Sequence, residues 1–502
     1  MKKNRILRIK ILMILTILNS SIIGFAQTDL SNGFKQKELY AKIDSIIADY
    51  ADFYDVPGIS VGVAQNGKPI YSKGFGVADI DTKVPVTTET LFKTGSVSKV
   101  ITVTAVMQLV EKGLVDLDDN VIKHVKYFKT NDEYYKLVTV KHLLTHRGGI
   151  PGGYINNYGY ENPEYDDDAI KRFVKSLADK KCEFTPGEKY EYSNNGFVLL
   201  SALVEEVTGV KFETYVAENI LKPAGIREST LDFQSIDKSK LAMGHVIGNG
   251  FKNSVNSFFP DTRWITGADG FYASSDDWNE LTIALMNDYK YDSRKILKKE
   301  TLEQMWTKND ESGVGLCWNI YEVWGGKLIE HGGNAPGFSA ELAFFDDLAV
   351  TVMCNSDTRA NREILTAIIK TIKNIEQKPQ KTLYDDTQIL NTMKKSGIEA
   401  GIEEIKRLIM EKGDKFRSRA VMILALSIRQ GTAEKKLEYA KEIMETLIEY
   451  YPENEFMNLF LAEIYIRLAL KHYYITNTLL PGDWGIEKMY KQVKSIDLDF
   501  YN

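Results

Sequence analysis

The segment from Ser96 to Val110 constrains this chain more than any other. It reads as a helix that is apolar on nearly every side, carrying Val97, Val100, Ile101, Val103, Val106 and Leu109 before a stop at Gly113. A helix on a protein surface keeps one face wet, so a helix without a polar face belongs in the middle of a domain. The chain must therefore supply layers on several sides of it. With 502 residues, 44% of them hydrophobic, there is enough material for that domain, a leader and a second folded part.

The surrounding pattern supplies those layers. Gln36 to Tyr54 predicts an amphipathic helix. Ile59, Val61 and Val63 then alternate with Gly58, Ser60, Gly62 and Ala64, Asn66-Gly67 gives a hairpin turn, and Ile70 to Gly76 returns. The small-residue face of that first strand would let a helix pack closely. From Val140 to about Tyr291 short helices mix with Gly- and Asn-rich loops. Strand-like runs follow at Val314 to Tyr321, Lys327 to Glu330, Phe338 to Phe345 and Ala349 to Cys354, then a helix from Asn361 to Ile375. This order predicts an α+β domain over 30–376, in which the first and last segments share one antiparallel sheet flanked by helices around a mostly helical subdomain.

Residues 377–386, with Pro379 and mixed charge, read as a linker, and 387–502 as a C-terminal helical region. Ala440, Pro452, Leu461, Ala462 and Tyr465 give a loose tetratricopeptide match of about one and a half units, so stacked helical hairpins are expected there. Such hairpins either bind a protein partner or cap the neighbouring domain.

The N-terminus reads as a signal peptide over 1–26. Lys2, Lys3, Arg5, Arg8 and Lys10 precede an apolar run from Ile11 to Ile23, and Gly24-Phe25-Ala26 supplies small residues for cleavage before Gln27. The run is short and interrupted by Asn19, Ser20 and Ser21, and the leader has no cysteine for a lipid anchor. An exported, periplasmic or secreted protein without stable membrane insertion is expected. Cleavage removes five cations and no anion, taking the formal charge from −6 to −11. Such acidity excludes non-specific nucleic-acid binding. Cys182, Cys317 and Cys354 form no CxxC pair and read as buried free thiols, a Cys317–Cys354 bridge being the alternative. The six histidines show no ligand spacing, so no metal is assigned, and no cofactor is implied.

Chemistry enters at the start of the apolar helix, with Ser96-Val97-Ser98-Lys99. A serine hydroxyl is a weak nucleophile until a base takes its proton. Residues three apart share a helix face, which brings Lys99 to Ser96. An ordinary lysine, of pKa roughly 10.4, is neutral in only about one part in a thousand near pH 7.4, so Lys99 must be shifted by burial or charge. Ser235-Ile236-Asp237-Lys238 has the same pattern in a polar stretch without an apolar helix, and is set aside.

A second triplet, Tyr192-Ser193-Asn194, sits between Pro186-Gly187 and an apolar helix from Phe197 to Val207. A tyrosine beside a cationic lysine gives up or shares its proton more readily, and an asparagine amide can bond both the lysine and a substrate. Tyr154-Ile155-Asn156 is treated as chance. The third element is His331-Gly332-Gly333, just after the Lys327 to Glu330 strand, where glycines admit a substrate close to backbone N–H donors. His146-Arg147-Gly148 precedes Tyr192 and reads as a loop. Lys93-Thr94-Gly95 abuts Ser96 and cannot form the opposite wall of the same cleft.

Three such elements in this order resemble the serine β-lactamase and penicillin-binding protein superfamily, on the side of class C β-lactamases, DD-peptidases and related esterases. The resemblance covers about residues 36–375 and extends to Leu143-Leu144-Thr145-His146, Pro186-Gly187, Leu221-Lys222-Pro223-Ala224-Gly225-Ile226 and Gly267-Ala268-Asp269-Gly270 with Ser274 and Asp277. It implies a β-lactamase/transpeptidase-like fold and an acyl-enzyme on Ser96. Lys99 and Tyr192 would move protons, and Asn194 and the His331-Gly332-Gly333 strand would bind substrate. The backbone N–H groups of Ser96 and Asn334 would hold the oxyanion. Efficient class C β-lactamases carry lysine where this chain has His331, and Arg147-Gly148 replaces the small residue and serine usual after the LLTH segment. Both departures point to esters or D-amino-acid peptides before β-lactams.

Two rivals remain in view. Gly58-Ile59-Ser60-Val61-Gly62 is a literal GxSxG, but it alternates as a strand and lacks a strand-to-helix elbow. The other is a non-catalytic penicillin-binding or peptidoglycan-sensing protein, or an adaptor acting through its C-terminal helices.

Overall fold

The computed structural model describes residues 36–150, 164–247, 253–255, 262–286, 296–356, 358–376, 385–413 and 434–452. The leader, the Tyr154-Ile155-Asn156 triplet, most of the proposed linker and the Leu461-Ala462-Tyr465 part of the repeat pattern lie outside these residues. No helix among the described residues is long and apolar enough to cross a membrane.

The amphipathic N-terminal segment forms helix α1 (36–54). Strands β1 (Gly58–Gln65) and β2 (Lys68–Gly76) follow as a hairpin. Its turn residues Asn66 and Gly67 both take positive φ, 52° and 70°, the type I′ geometry that an Asn-Gly pair favours. After the helical middle of the chain come β3 (Asn319–Val323), β4 (Gly326–Ala335), β5 (Phe338–Phe345) and β6 (Leu348–Cys354). The six strands make one antiparallel sheet in the order β2-β1-β6-β5-β4-β3, so the two ends of the domain meet where β1 pairs with β6. The expected α+β architecture is what the chain adopts.

Side-chain alternation sorts the sheet into two faces. Ile59, Val61 and Val63 of β1 join Val350 and Val352 of β6 beneath α1, through Ile43 and Ile47, and beneath helix α5 (Ala360–Ile372), through Ile364, Leu365 and Ile368. The opposite face carries Ala340, Leu342 and Phe344 and packs on the helical core. Ser60 and Gly62 lie on that second face. A Cβ on Gly62 would come 2.8 Å from Asn279 Oδ1 and 2.8 Å from the Ser275 carbonyl oxygen, in the region of helix α4 (Ser275–Met286). Only the small face of β1 admits α4 so closely, and Ser60 Oγ bonds Ser275 Oγ at 2.8 Å. Ser60 is therefore a packing residue in a strand, and the nucleophile-elbow reading of GxSxG fails.

The apolar helix is α2 (Ser98–Glu111), with every residue from Ser98 to Leu109 buried. Helix α3 (Asn194–Thr208) packs beside it and ends on Gly209 at φ 73°. Two boundaries differ from the sequence reading. The strand foreseen from Val314 begins only at Asn319, because Cys317 takes φ 75°, a left-handed kink that interrupts pairing. Strand β4 runs through the HGG triplet instead of stopping before it. Beyond the domain, α6 (Asp385–Ser396), α7 (Ile398–Lys412) and α8 (Glu434–Tyr450) are helical, and α7 packs against both α6 and α8.

Candidate active site

Ser96 stands on a 3-10 turn, Gly95–Val97, immediately before α2, rather than on the helix itself. Gly95 permits this turn by taking φ 57°. The start of the helix is fastened to Gly267–Phe271. The Phe271 amide donates to Ser98 Oγ at 2.9 Å, Thr94 Oγ1 donates to the Phe271 carbonyl at 2.8 Å, and Thr102 Oγ1 donates to the Gly267 carbonyl at 2.6 Å. The nucleophile candidate thus rests on a pinned backbone.

Lys99 occupies the first turn of α2 and is fully buried. Its Nζ lies 3.0 Å from Ser96 Oγ, 2.7 Å from Asn194 Oδ1 and 2.8 Å from the Ala268 carbonyl oxygen. Three partners saturate an ammonium. Two of them, an amide oxygen and a backbone carbonyl, can only accept. A neutral amine keeps those two hydrogen bonds and turns its lone pair to the Ser96 hydroxyl without any rearrangement. Burial pulls the Lys99 pKa down to about 8, with the Asp269 carboxylate opposing the fall. At that value about one lysine in five is neutral near pH 7.4, against about one in a thousand for an ordinary lysine.

Tyr192 lies two residues before α3, whose N-cap Ser193 accepts from the Gly196 amide at 3.1 Å. The Tyr192 and Ser96 hydroxyls are hydrogen-bonded, and Lys99 Nζ stands 4.9 Å from the Tyr192 ring centre. Desolvation raises the Tyr192 pKa above the ordinary phenol value, and the Ser96 bond offsets only part of that. Because 43% of Tyr192 is open to solvent, water limits the rise. This corrects the expectation that the neighbouring lysine makes Tyr192 an easier proton donor. The phenol stays protonated while the amine is driven toward neutrality.

The third wall is β4. His331, Gly332 and Gly333 pair with Leu342, Glu341 and Ala340 of β5. Gly333 faces Ser96: a Cβ there would collide with the Thr94 carbonyl and come 3.0 Å from Ser96 N. A Cβ on Gly95 would meet Asn334 N at 2.7 Å. The amides of Ser96 and Asn334 therefore belong to two backbones in direct contact. Gly332 points to the other face, toward Glu341, whose carboxyl burial pushes up to about 8. His331 has Nδ1 2.8 Å from the Gly332 carbonyl, which can only accept, so Nδ1 carries the proton. Burial and the charge of Lys99 push the His331 pKa down to about 3. The wall offers a neutral imidazole, not a cation.

The structure thus brings Ser96, Lys99, Tyr192, Asn194, His331, Gly333 and Asn334 to one place. Ser235 stands on an exposed turn elsewhere, with Lys238 bonded to the Phe233 carbonyl at 2.8 Å. Sequence reasoning passed over two groups here. His146, discarded as part of a loop triplet, stacks on Tyr192 at a 4.3 Å ring separation. Lys93, from the discarded KTG, is buried with Nζ 3.7 Å from Asp269 Oδ2. The LLTH segment was the one signal for His146; no spacing pattern links Lys93 to Asp269. The three cysteines are free. A separate cleft of about 880 Å³, lined by Tyr40, Asp44, Ser72, Asp276 and Glu280 among others, contains none of these site residues.

Comparison with known proteins places these features. Residues 43–371 match the family model described as Beta-lactamase. "Penicillin-binding protein 4*" of Bacillus subtilis is 26% identical over 338 residues, covering 63% of this chain and 71% of the relative. "Protein flp" of Staphylococcus aureus is 29% identical over 205 residues, 41% of each chain, so this chain matches about two fifths of that relative's length. The octameric penicillin-binding protein homologue from Pyrococcus abyssi superposes with a TM-score of 0.58 at 28% identity, covering 71% of this chain and 82% of that one. The family match spans well over half of the chain, and the chain belongs to the β-lactamase family of serine hydrolases and penicillin-binding proteins.

Proposed function

We propose that this protein is an exported serine hydrolase that works through an acyl-enzyme on Ser96, taking esters or D-amino-acid peptides in preference to β-lactams. The observation that carries the reading is the Lys99 amine. It sits 3.0 Å from Ser96 Oγ with two fixed acceptors on its other side and a pKa drawn to about 8.

Ser96 Oγ bonds to the substrate carbonyl carbon while its proton passes to neutral Lys99. The Ser96 and Asn334 N–H groups hold the oxyanion. On collapse the carbonyl carbon–leaving-group bond breaks. The leaving atom takes a proton from Tyr192, which the Lys99 ammonium replaces. The alcohol or amine departs, and water bonds to the acyl carbon as neutral Lys99 takes its proton. The bond to Ser96 Oγ then breaks, the serine takes the proton back and the acid leaves. Asn194 holds Lys99 in place and presents its amide N–H to the substrate.

The preference for uncharged esters over β-lactams rests on His331; D-alanyl-D-alanine peptides, which also carry a carboxylate, are included because the family holds penicillin-binding proteins. Penicillins and cephalosporins carry a carboxylate, and a neutral imidazole gives it no counter-charge. Export rests on the leader-like residues 1–26. The test is a substrate panel of p-nitrophenyl esters, D-alanyl-D-alanine peptides and nitrocefin, run on the wild type and on Ser96→Ala. Turnover should vanish in Ser96→Ala while the thermal unfolding temperature holds, and nitrocefin should be the slowest substrate. Ester turnover retained by Ser96→Ala overturns the reading. Fluorophosphonate labelling of Ser96 without turnover of any of the three would make the protein a non-catalytic binder.

A further inference from the structure

We propose that His146 is the positioning residue of Tyr192, holding the phenol in line with Ser96 from three directions. The proposal rests on the Ser96 acyl-enzyme reading and adds to it a residue that the proton relay needs but that never touches the substrate.

The ring supplies the first hold. The imidazole lies 4.3 Å from the Tyr192 ring at 27°, a stacked pair, and is boxed in by Phe197 at 5.1 Å and Tyr190 at 5.9 Å. The backbone supplies the other two, one on each side of Tyr192. The Glu191 amide donates to the His146 carbonyl at 2.8 Å, and the Ser193 amide donates to His146 Nδ1 at 3.1 Å. One residue therefore fixes the chain before Tyr192, the chain after it and the ring between. Tyr192 needs such fixing: it precedes the helix, and 43% of its surface is open.

His146 itself is held against its preferences. It takes φ 55°, a left-handed backbone that is strained for a non-glycine residue. The ring is buried, with Nε2 enclosed and without a partner among the described residues. A buried polar atom left unmatched in that way is destabilising. Because Nδ1 accepts, the proton is on Nε2, and burial beside Lys99 and His331 keeps the ring neutral. A charged ring would have to donate from Nδ1 and would lose the Ser193 bond. Two local costs at one buried residue, both directed at Tyr192, point to a task beyond packing.

If His146 acts through Tyr192, its loss should matter where proton delivery matters. An alkyl ester expels a basic alkoxide that needs the Tyr192 proton, whereas p-nitrophenolate leaves without one. The experiment compares a p-nitrophenyl and an alkyl ester of the same acid in wild type, Tyr192→Phe, His146→Asn, His146→Phe and the two double variants. Asn tolerates the left-handed backbone and keeps an acceptor for Ser193 but removes the ring; Phe keeps a ring and removes the acceptor. Either variant that folds, judged by fluorophosphonate labelling of Ser96, carries the test. The expected result is a loss in kcat/KM, which reports the acylation step, about 10- to 100-fold larger on the alkyl ester than on the p-nitrophenyl ester. The same losses should disappear in the Tyr192→Phe background. Equal losses on both esters, losses that add fully to those of Tyr192→Phe, or no loss would overturn the proposal. Alkyl-ester turnover surviving Ser96→Ala would instead sink the underlying reading and leave His146 without a relay to serve.

Discussion

Replacing Gly333 by alanine asks how tightly the third wall grips the Ser96 turn. The added methyl would collide with the Thr94 carbonyl oxygen, with Val97 N at 2.9 Å and Ser96 N at 3.0 Å. All three are backbone atoms. The turn carrying them is pinned through Thr94 and Ser98 to Phe271, so no side chain can swing away. Strand and turn must part by on the order of 1 Å, and displacements of that size cost about 100-fold in rate when they separate reacting groups. The same overpacking should cost about 1–3 kcal/mol of stability. Gly332→Ala is the control on the opposite face of the strand: its methyl meets only the Glu341 carboxyl end, at 3.1 Å, which can rotate. The assay is the second-order rate of Ser96 labelling by a fluorophosphonate, with thermal unfolding measured in parallel. Gly333→Ala should slow labelling about 100-fold, and Gly332→Ala by less than about threefold. Wild-type labelling in Gly333→Ala, or equal losses in the two variants, would refute the packing argument.

With an uncharged ester, kcat/KM should rise with pH through about 8 as Lys99 loses its proton and becomes a base, without an inflection near 6.5 because His146 and His331 are already neutral there. A pH–rate profile that is flat from 6 to 9 would contradict the lysine's role. Asp277→Asn should destabilise the fold by about 2 kcal/mol in denaturant unfolding, since the carboxylate accepts from Ser229 N at 2.8 Å, Ser229 Oγ at 2.7 Å and Glu228 N at 3.2 Å.

Local signals in this chain carried the sheet's start and the central helix. The Asn-Gly pair fixed the β1–β2 turn through two left-handed residues, and the all-apolar run left α2 nowhere to go but inside. Strand β4 was read too short because His and Gly have low strand propensity. Pairing with β5, eight residues in register from Leu328 to Ala335, holds them extended regardless. The strand foreseen from Val314 failed for the converse reason: β-branched residues favour extension, but the Cys317 amide donates to the Leu144 carbonyl at 2.7 Å and pulls the chain out of the sheet. In the site, the triplets around Ser96, Tyr192 and His331 were visible because each is contiguous. His146 reaches Tyr192 across 46 positions and Lys93 reaches Asp269 across 176, and such contacts leave no mark on local spacing.

Burial and the Asp269 carboxylate act on Lys99 in opposite directions. One act of burial drives Lys99 and Tyr192 in opposite directions, discouraging the ammonium on the first and the phenolate on the second. Holding Lys99 at about 8 rather than 10.5, with the pull of the Asp269 carboxylate already included, costs folding about 3 kcal/mol near neutral pH. The Asp269 carboxylate favours the ammonium and so opposes the effect of burial without cancelling it. Lys93, buried with Nζ 3.7 Å from Asp269 Oδ2, pairs with the same carboxylate. Lys99 is left where neither protonation state is prohibitively rare, which is what a base near neutral pH requires.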